Sequence, residues 1–249
     1  MAGHSQFKNI MHRKGAQDAK RARIFSKISR EILVAVRSGM PDPCFNPRLR
    51  AALASARSAN MPKDIIDRAI KKATGEGDHT NYEEVRYEGY GPEGVAIIVE
   101  TLTDNRNRTA SEIRSYFNKY GGNLGETGSV SFCFERLGLL HFDKNNFSFD
   151  QVFEAAAEIG ADNIEESTES IEVICSLETF AEVRDYLLEH LGDPLEAKII
   201  WRPLNYIDCE EGTAKTLIKL IDLLEDNDDV QNVYANYEMS DETLKKMNS

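Results

Sequence analysis

The residues best suited to chemistry in this sequence are cations spaced along one predicted helix: Lys20, Arg23, Lys27, Arg30 and Arg37. At about 100° per residue, these side chains share one side of the helix. The opposite side carries apolar residues that can pack on a core, namely Ile24, Phe25, Ile28, Ile32 and Val36. A row of cations releases counterions from a phosphate backbone, which drives binding to nucleic acid. A solvated helix face usually mixes both signs of charge, and acids are nearly absent here, so the pattern favours nucleic-acid binding.

We call Lys20, Arg23, Lys27 and Arg30 the cationic row. The segment before the helix adds further candidates for phosphate contact: Lys8, His12, Arg13 and Lys14. These residues extend the same basic region toward the start of the chain. The sequence therefore predicts that the first third touches nucleic acid.

A second basic motif, with Arg106 and Arg108, lies at the predicted start of another helix (Asp104-Asn105-Arg106-Asn107-Arg108). Backbone N–H groups at a helix start favour an anion, and the two arginines add positive charge. Anion contact and simple capping explain this motif equally well. The glycine-rich segment 121–128 follows that helix, but it lacks the Gly-Lys-Ser/Thr of a phosphate-binding loop, so a structural connection is favoured.

No other group of residues suggests catalysis or metal binding. The acidic run Glu225–Asp229 lacks the spacing of a calcium loop and is predicted to be a solvated helix end. The four cysteines are scattered, and the five histidines lie in unrelated contexts. The sequence therefore predicts no cofactor, no metal site and no enzymatic activity.

Charge is distributed very unevenly along the 249 residues, whose formal net charge is −12. Residues 1–72 contain 16 Lys and Arg against 5 Asp and Glu, a net of +11, which leaves −23 for the rest. Such asymmetry is typical of a segment that faces nucleic acid or a membrane surface. No apolar run reaches the roughly 20 residues that span a bilayer, so nucleic acid is the expected partner.

The elements that position these residues change character near residue 78. Before it, apolar periodicity predicts a helix over 18–37 and two more, opened by Asn46-Pro47 and by Pro62. After it, strands and helices alternate, and residues 137–202 follow the order β-α-β-β-α-β of ferredoxin-like domains. Thr109 and Glu112 fit a capping box, and SVSFCFE and DVQNVYANYE each read as one strand.

The predicted fold class is α+β with three domains. Residues 1–78 form a basic helical domain, residues 79–135 and 203–249 form a discontinuous α+β domain, and residues 136–202 form a ferredoxin-like domain inserted into it. The acidic domains repel phosphate, so the N-terminal part must reach a nucleic acid first.

Several segments of the sequence resemble the YebC family over nearly the whole chain: GHSQFKNIMHRKGAQDAKRARIFSK, FNPRLRAAL, MPKDIIDRAIKKA, YEGYGPEGVAIIVETLTDNRNRTASEIR, GGNLGETGSVSF and LIDLLEDNDDVQNVYAN. The family includes the mitochondrial translational activator of cytochrome oxidase. The resemblance implies a three-domain α+β protein with a helical N-terminal domain, and a probable transcriptional regulator that binds DNA. Phe7 departs from the Trp that the family usually has, although the aromatic character is kept.

Two functions fit these features of the sequence. One is a DNA-binding regulator of transcription, and the other is a translation factor that binds ribosomal RNA and relieves stalling, for example at proline runs. No helix-turn-helix with a polar reading face is evident, and RNA can be recognised by shape and backbone alone. In either case we expect a cytoplasmic protein that does not bind membranes, with a monomer favoured.

Overall fold

The computed structural model describes residues 17–75, 80–168 and 170–240 together with residue 243, and for residues 17–20 it gives the backbone only. Within these ranges the helices are α1 (Gln17–Ser38), α2 (Pro47–Ser58), α3 (Lys63–Thr74), α4 (Arg106–Lys119), α5 (Phe149–Glu158), α6 (Phe180–Leu191) and α7 (Glu211–Glu225). The strands are β1 (Glu83–Tyr90), β2 (Ala96–Thr103), β3 (Asn123–Leu124), β4 (Phe134–Asp143), β5 (Asn163–Glu166), β6 (Ser170–Cys175), β7 (Glu196–Pro203), β8 (Ile207–Asp208), β9 (Val230–Ala235) and β10 (Tyr237–Glu238). The predicted α+β class, with N-terminal helices followed by two sheet-containing parts, is confirmed.

The N-terminal helices form where the sequence predicts them, α1 extending one residue beyond the prediction at each end. Asn46 caps α2, because its side-chain oxygen accepts a hydrogen bond from the Leu49 amide at 3.0 Å. The Asn46 amide also donates to the Ala35 carbonyl oxygen at 2.7 Å, which ties the end of α1 to the start of α2. The apolar faces of these helices are buried at Ile32, Leu33, Ala35, Val36, Leu49, Ala52 and Ala56.

A four-stranded sheet is built from two distant parts of the chain, in the order β3-β1-β2-β9. Neighbouring strands are antiparallel, and Glu83–Tyr90 pairs with Ala96–Thr103 along its whole length. Helices α4 and α7 cover this sheet, because their apolar faces share one core with β2 and β9. Ile113 and Phe117 are the fully buried anchors of α4 in that core.

A second sheet has the order β5-β6-β4-β7, with its own core beneath α5 and α6. The chain order of these elements is β4-α5-β5-β6-α6-β7, so the predicted β-α-β-β-α-β pattern is confirmed. Ser148 begins α5 with a complete capping box involving Gln151.

Two local predictions are wrong. SVSFCFE does not form its own strand: Ser131–Cys133 is a short 3-10 turn, and β4 starts at Phe134. The residues DVQNVYANYE split into β9 and β10, and β10 pairs in parallel with β8 as a separate ribbon. In both places a turn residue interrupts a run that has strand composition.

The chain divides into two compact units. One contains the described residues up to Glu31, those of Gly75–Glu135 and those from Pro203 onward, and the other contains Ile32–Thr74 and Arg136–Arg202. The boundaries expected at residues 78, 135 and 203 for three domains stay a prediction. In the described part of the chain, no helix is both long enough and apolar enough to cross a bilayer.

Candidate nucleic-acid interface

The acidic run Glu225–Asp229, which we call the acidic turn, joins the end of α7 to β9. The turn is held by hydrogen bonds to Asn227, whose side-chain oxygen accepts from the Asp229 amide at 2.9 Å and whose carbonyl oxygen accepts from the Val230 amide at 3.2 Å. Asn227 also donates to Glu112 of α4 at 2.7 Å. The turn is therefore fixed against α4 on one side.

Asp229 is the centre of this arrangement and is 3% exposed. One carboxylate oxygen accepts a hydrogen bond from Arg30 at 2.8 Å. The other accepts from Arg108 at 2.7 Å, from Thr109 at 2.6 Å and from Thr103 at 3.1 Å. Burial acts to raise the pKa of Asp229, but the hydrogen bonds from Arg108, Thr109 and Arg30 outweigh it, so the pKa lies below its ordinary value. The predicted solvated helix end is therefore wrong for Asp229.

The described head groups of the cationic row contact this turn. Arg23 forms an ion pair with Asp226. Lys27 Nζ donates to the Glu225 carbonyl oxygen at 2.6 Å, at the C-terminal end of α7 where the helix dipole favours a cation. Arg30 donates to the carbonyl oxygens of Leu102 and Asp228, each at 2.8 Å, in addition to Asp229.

The cationic row is thus less open to solvent than the sequence suggested. The side chain of Arg30 is 15% exposed, and its guanidinium also lies over the ring of Tyr82, 4.9 Å from the centroid. Burial lowers the pKa of the Lys27 ammonium, and the carboxylates of the acidic turn partly offset that effect. The sequence could not reveal this pairing, because the two charged segments are about 200 residues apart. A role for the row in binding nucleic acid stays a prediction.

At the start of α4, Asn105 is the capping residue, and its side-chain oxygen accepts from the Arg108 amide at 3.1 Å. The predicted capping box that begins at Thr109 is wrong, since Thr109 lies inside the helix and is fully buried. Arg108 forms ion pairs with Asp104 at 2.8 Å and Asp229 at 2.7 Å, and its hydrogen bonds to these carboxylates raise its pKa. Arg106 is exposed, so of the two arginines it is the one available to an external anion.

Helix α4 carries a surface that the sequence analysis missed. All of its exposed residues are amides, hydroxyls or cations: Arg106, Asn107, Arg108, Ser111, Arg114, Ser115, Asn118 and Lys119. Its single acid, Glu112, is half-buried and accepts the hydrogen bond from Asn227. A helical wheel of this segment, on which Ile113 and Phe117 mark the buried side, is the sequence signal that reveals this surface.

The glycine-rich segment after α4 has a structural role. Residues Asn123–Leu124 of this segment form β3 on the edge of the sheet, and the Gly125 amide donates to the Glu88 carbonyl at 2.8 Å. A Cβ on Gly122 would lie 2.5 Å from the Tyr90 carbonyl oxygen, so only glycine fits this close approach. The preference for a structural connection over a phosphate loop agrees with these contacts.

The remaining candidates lie outside the described part of the chain. Lys8, His12, Arg13 and Lys14 precede residue 17, and the side chain of Lys20 is not among those described. Among the residues that are described, no group of three or more His, Cys, Asp or Glu side chains is arranged to hold a metal ion.

Comparison with known proteins gives two family matches that cover most of the chain. Residues 5–76 match the model of the TACO1/YebC protein N-terminal domain, and residues 82–237 match that of the TACO1/YebC second and third domain. Among solved structures, the chain is similar to a conserved hypothetical protein from Aquifex aeolicus, known from a crystal structure. The two are 45% identical, the match covers 93% of this chain and 96% of that one, and the TM-score is 0.82.

Proposed function

Because this chain belongs to the TACO1/YebC family, a family of the transcriptional-regulator type, we propose that it is a nucleic-acid-binding regulator of gene expression. The protein acts in the cytoplasm, as a monomer, without a cofactor and without catalysing a reaction. Its N-terminal part supplies the binding energy through contacts to the phosphate backbone.

The observation that carries this proposal is the concentration of positive charge in the first third of the chain. Residues 1–72 have a net charge of +11 in a chain whose total charge is −12. The acidic turn, which contacts Arg23, Lys27 and Arg30, contains four carboxylates, fewer than that excess. Lys8, Arg13, Lys14 and Lys20 contribute to that excess, and together with His12 they are the first contacts in the proposal.

The test measures binding of the full chain to labelled duplex DNA and duplex RNA over a range of salt concentrations. With Z phosphate contacts to a duplex, the logarithm of the affinity falls with the logarithm of the salt concentration with a slope of roughly −0.9Z. Changing Lys8, Arg13, Lys14 and Lys20 to Gln should weaken binding and flatten that slope. A slope near zero for the wild-type chain would contradict the proposal.

Within this function, structured RNA on the ribosome is a stronger candidate for the target than a DNA operator. The cationic row consists of Lys and Arg, without the Asn or Gln that reads base edges, and Arg23, Lys27 and Arg30 are engaged with the acidic turn. A net charge of −23 over residues 73–249 also opposes approach to long duplex DNA, whereas basic ribosomal proteins would attract it.

A purified translation system separates the two targets. Messages with and without a proline run are translated with the wild-type chain or with Arg106→Ala, which leaves the Arg108 ion pairs intact. If the wild type rescues stalled synthesis and Arg106→Ala rescues it less, the result supports the ribosomal target. Nanomolar binding to one defined promoter at physiological salt, with no effect on stalling, would instead support a regulator of transcription.

A further inference from the structure

We infer that the outward face of α4 is a second nucleic-acid contact surface and that it docks on duplex RNA through its shallow minor groove. This inference rests on the proposed function and adds to it a site away from the N-terminal third. The face consists of the stripe Asn107, Ser111, Arg114 and Asn118, flanked by Arg106 and Lys119.

The stripe is continuous and points away from the protein core. Its members follow one another at spacings of four, three and four residues, which places them on one side of a helix. The buried residues Thr109, Ile113 and Phe117 occupy the other side and fix the rotation of α4 on the sheet. A helix of 14 residues is about 21 Å long, so the face is large enough to contact several nucleotides.

The exposed residues of α4 include cations and no carboxylate. The helices of the other compact unit differ, since the exposed positions of α5 include Asp150, Glu154 and Glu158, and those of α6 include Glu182, Asp185 and Glu189. Helix α7, in the same unit as α4, exposes Lys215 and Lys219 and also no carboxylate, but its exposed positions lack the short polar side chains of the stripe. A cation-bearing surface of this kind in a chain of net charge −12 is complementary to a polyanion.

Arg108 is not a member of the contact surface, although it is exposed in part. Its guanidinium is committed to Asp104 and Asp229, and withdrawing it would leave a buried carboxylate short of a donor. Arg106 and Arg114 have no ion pair among the described residues, and the Lys119 ammonium lies 5.4 Å from the ring centroid of Tyr120. These three cations are therefore the available phosphate contacts.

The short polar residues of the stripe specify RNA. Asn and Ser side chains both donate and accept hydrogen bonds, as the ribose 2′-hydroxyl does. Being short, they reach only a surface that comes close to the helix, and the minor groove of A-form RNA is wide and shallow. Asn can also pair with an adenine edge in the major groove of B-form DNA, and a DNA duplex is therefore the comparison that tests the choice of RNA.

Two variants of the full chain separate charge from 2′-hydroxyl recognition. The charge variant is Arg114→Gln with Lys119→Gln, and the polar variant is Asn107→Ala, Ser111→Ala and Asn118→Ala. A matched control, Lys215→Gln with Lys219→Gln, removes the same charge from exposed positions of α7. Fluorescence anisotropy is measured with an RNA hairpin duplex and a DNA duplex of the same sequence, and circular dichroism verifies the fold.

We expect the wild type to bind the RNA duplex more tightly than the DNA duplex. The charge variant should lose about two phosphate contacts and flatten the salt slope by roughly 1.8, while the control should not. The polar variant should keep the slope and lose roughly tenfold in RNA affinity, with little change for DNA.

Three outcomes would overturn the inference. If both α4 variants bind as tightly as the wild type, and binding is lost on neutralising Lys8, Arg13, Lys14 and Lys20, the α4 surface is refuted and the proposed function is retained. Tighter binding of DNA than RNA, sensitive to the polar variant, refutes the choice of RNA. Binding of neither duplex by the wild type removes the proposed function together with this surface.

Discussion

Asp229 should be the most sensitive single charge in the molecule. Its side chain is 4% exposed and accepts hydrogen bonds from Arg30, Arg108, Thr109 and Thr103. Removing one partner of a buried ion pair typically costs about 3–5 kcal/mol, because the remaining charge is left uncompensated. Arg108 is 44% exposed and can be rehydrated, so we expect the lower end, about 3 kcal/mol, for Asp229→Ala.

The matched control lies three residues away in the same turn. Asp226 is paired with Arg23, but the side chains are 52% and 40% exposed, and an exposed pair contributes about 0–1 kcal/mol. Urea unfolding followed by circular dichroism should show a midpoint for Asp229→Ala lower by about 1 M or more, and one for Asp226→Ala close to the wild type. Fluorescence of Trp201, which lies in the other compact unit, reports whether the loss is confined to the unit that contains Asp229.

The pH dependence gives an independent check on the same residue. The pKa of Asp229 is depressed in the folded state, so its stabilisation is complete above its unfolded pKa of about 3.9 and is lost as the pH falls through the folded value. The difference in unfolding free energy between wild type and Asp229→Asn should stay constant from pH 7 to about 5 and shrink in stronger acid. Equal stability of Asp229→Ala and Asp226→Ala at pH 7 would refute the argument that burial of the carboxylate decides its importance.

Two further substitutions and one chemical modification test the packing of the fold. Gly122→Ala should destabilise the protein by about 1–3 kcal/mol, since the new Cβ would lie 2.5 Å from a backbone oxygen. Gly212→Ala lies in a helix with open space around it and should stabilise the protein by about 0.5–1 kcal/mol. Calorimetry measures both variants, and equal melting temperatures would contradict the close approach at Gly122. Iodoacetamide at neutral pH should alkylate Cys44 first, because Cys44 is exposed, while burial raises the pKa of the Cys175 and Cys209 thiols to about 11. If mass spectrometry shows that all three cysteines are labelled at one rate, the buried positions of Cys175 and Cys209 are contradicted.

Local sequence signals predicted most of the fold. The cap at Asn46 and the apolar period of α1 depend on residues within a turn or two of each other, so a single sequence contains them. The choice between Asn105 and Thr109 as the start of α4 is harder, because both are good capping residues and they lie four positions apart. The structure resolves it through Asp229, which accepts a hydrogen bond from the Thr109 hydroxyl and holds it inside the helix.

The candidate site was less predictable, because its decisive contacts join distant segments. The cationic row was found by its spacing, but nothing near Arg23 or Arg30 in the sequence points to the acidic turn. Complementary charge alone would have paired the row with any of the 42 acidic residues. Arg114 was overlooked because it carries no motif, and its position matters only once the buried side of α4 is known.

The junction between α1 and the acidic turn also sets an order of events during synthesis. Arg23 and Asp226 are separated by 203 residues, so at 5–20 residues per second the ribosome needs roughly 10–40 s to deliver the second after the first. During that interval the strands and helices between β4 and β7 emerge in full, while β1 and β2 still lack their neighbour β9. The nascent chain therefore exposes an unpaired sheet edge and uncompensated arginines until the acidic turn and β9 are made. A chain interrupted before β9 would be prone to aggregation through that edge.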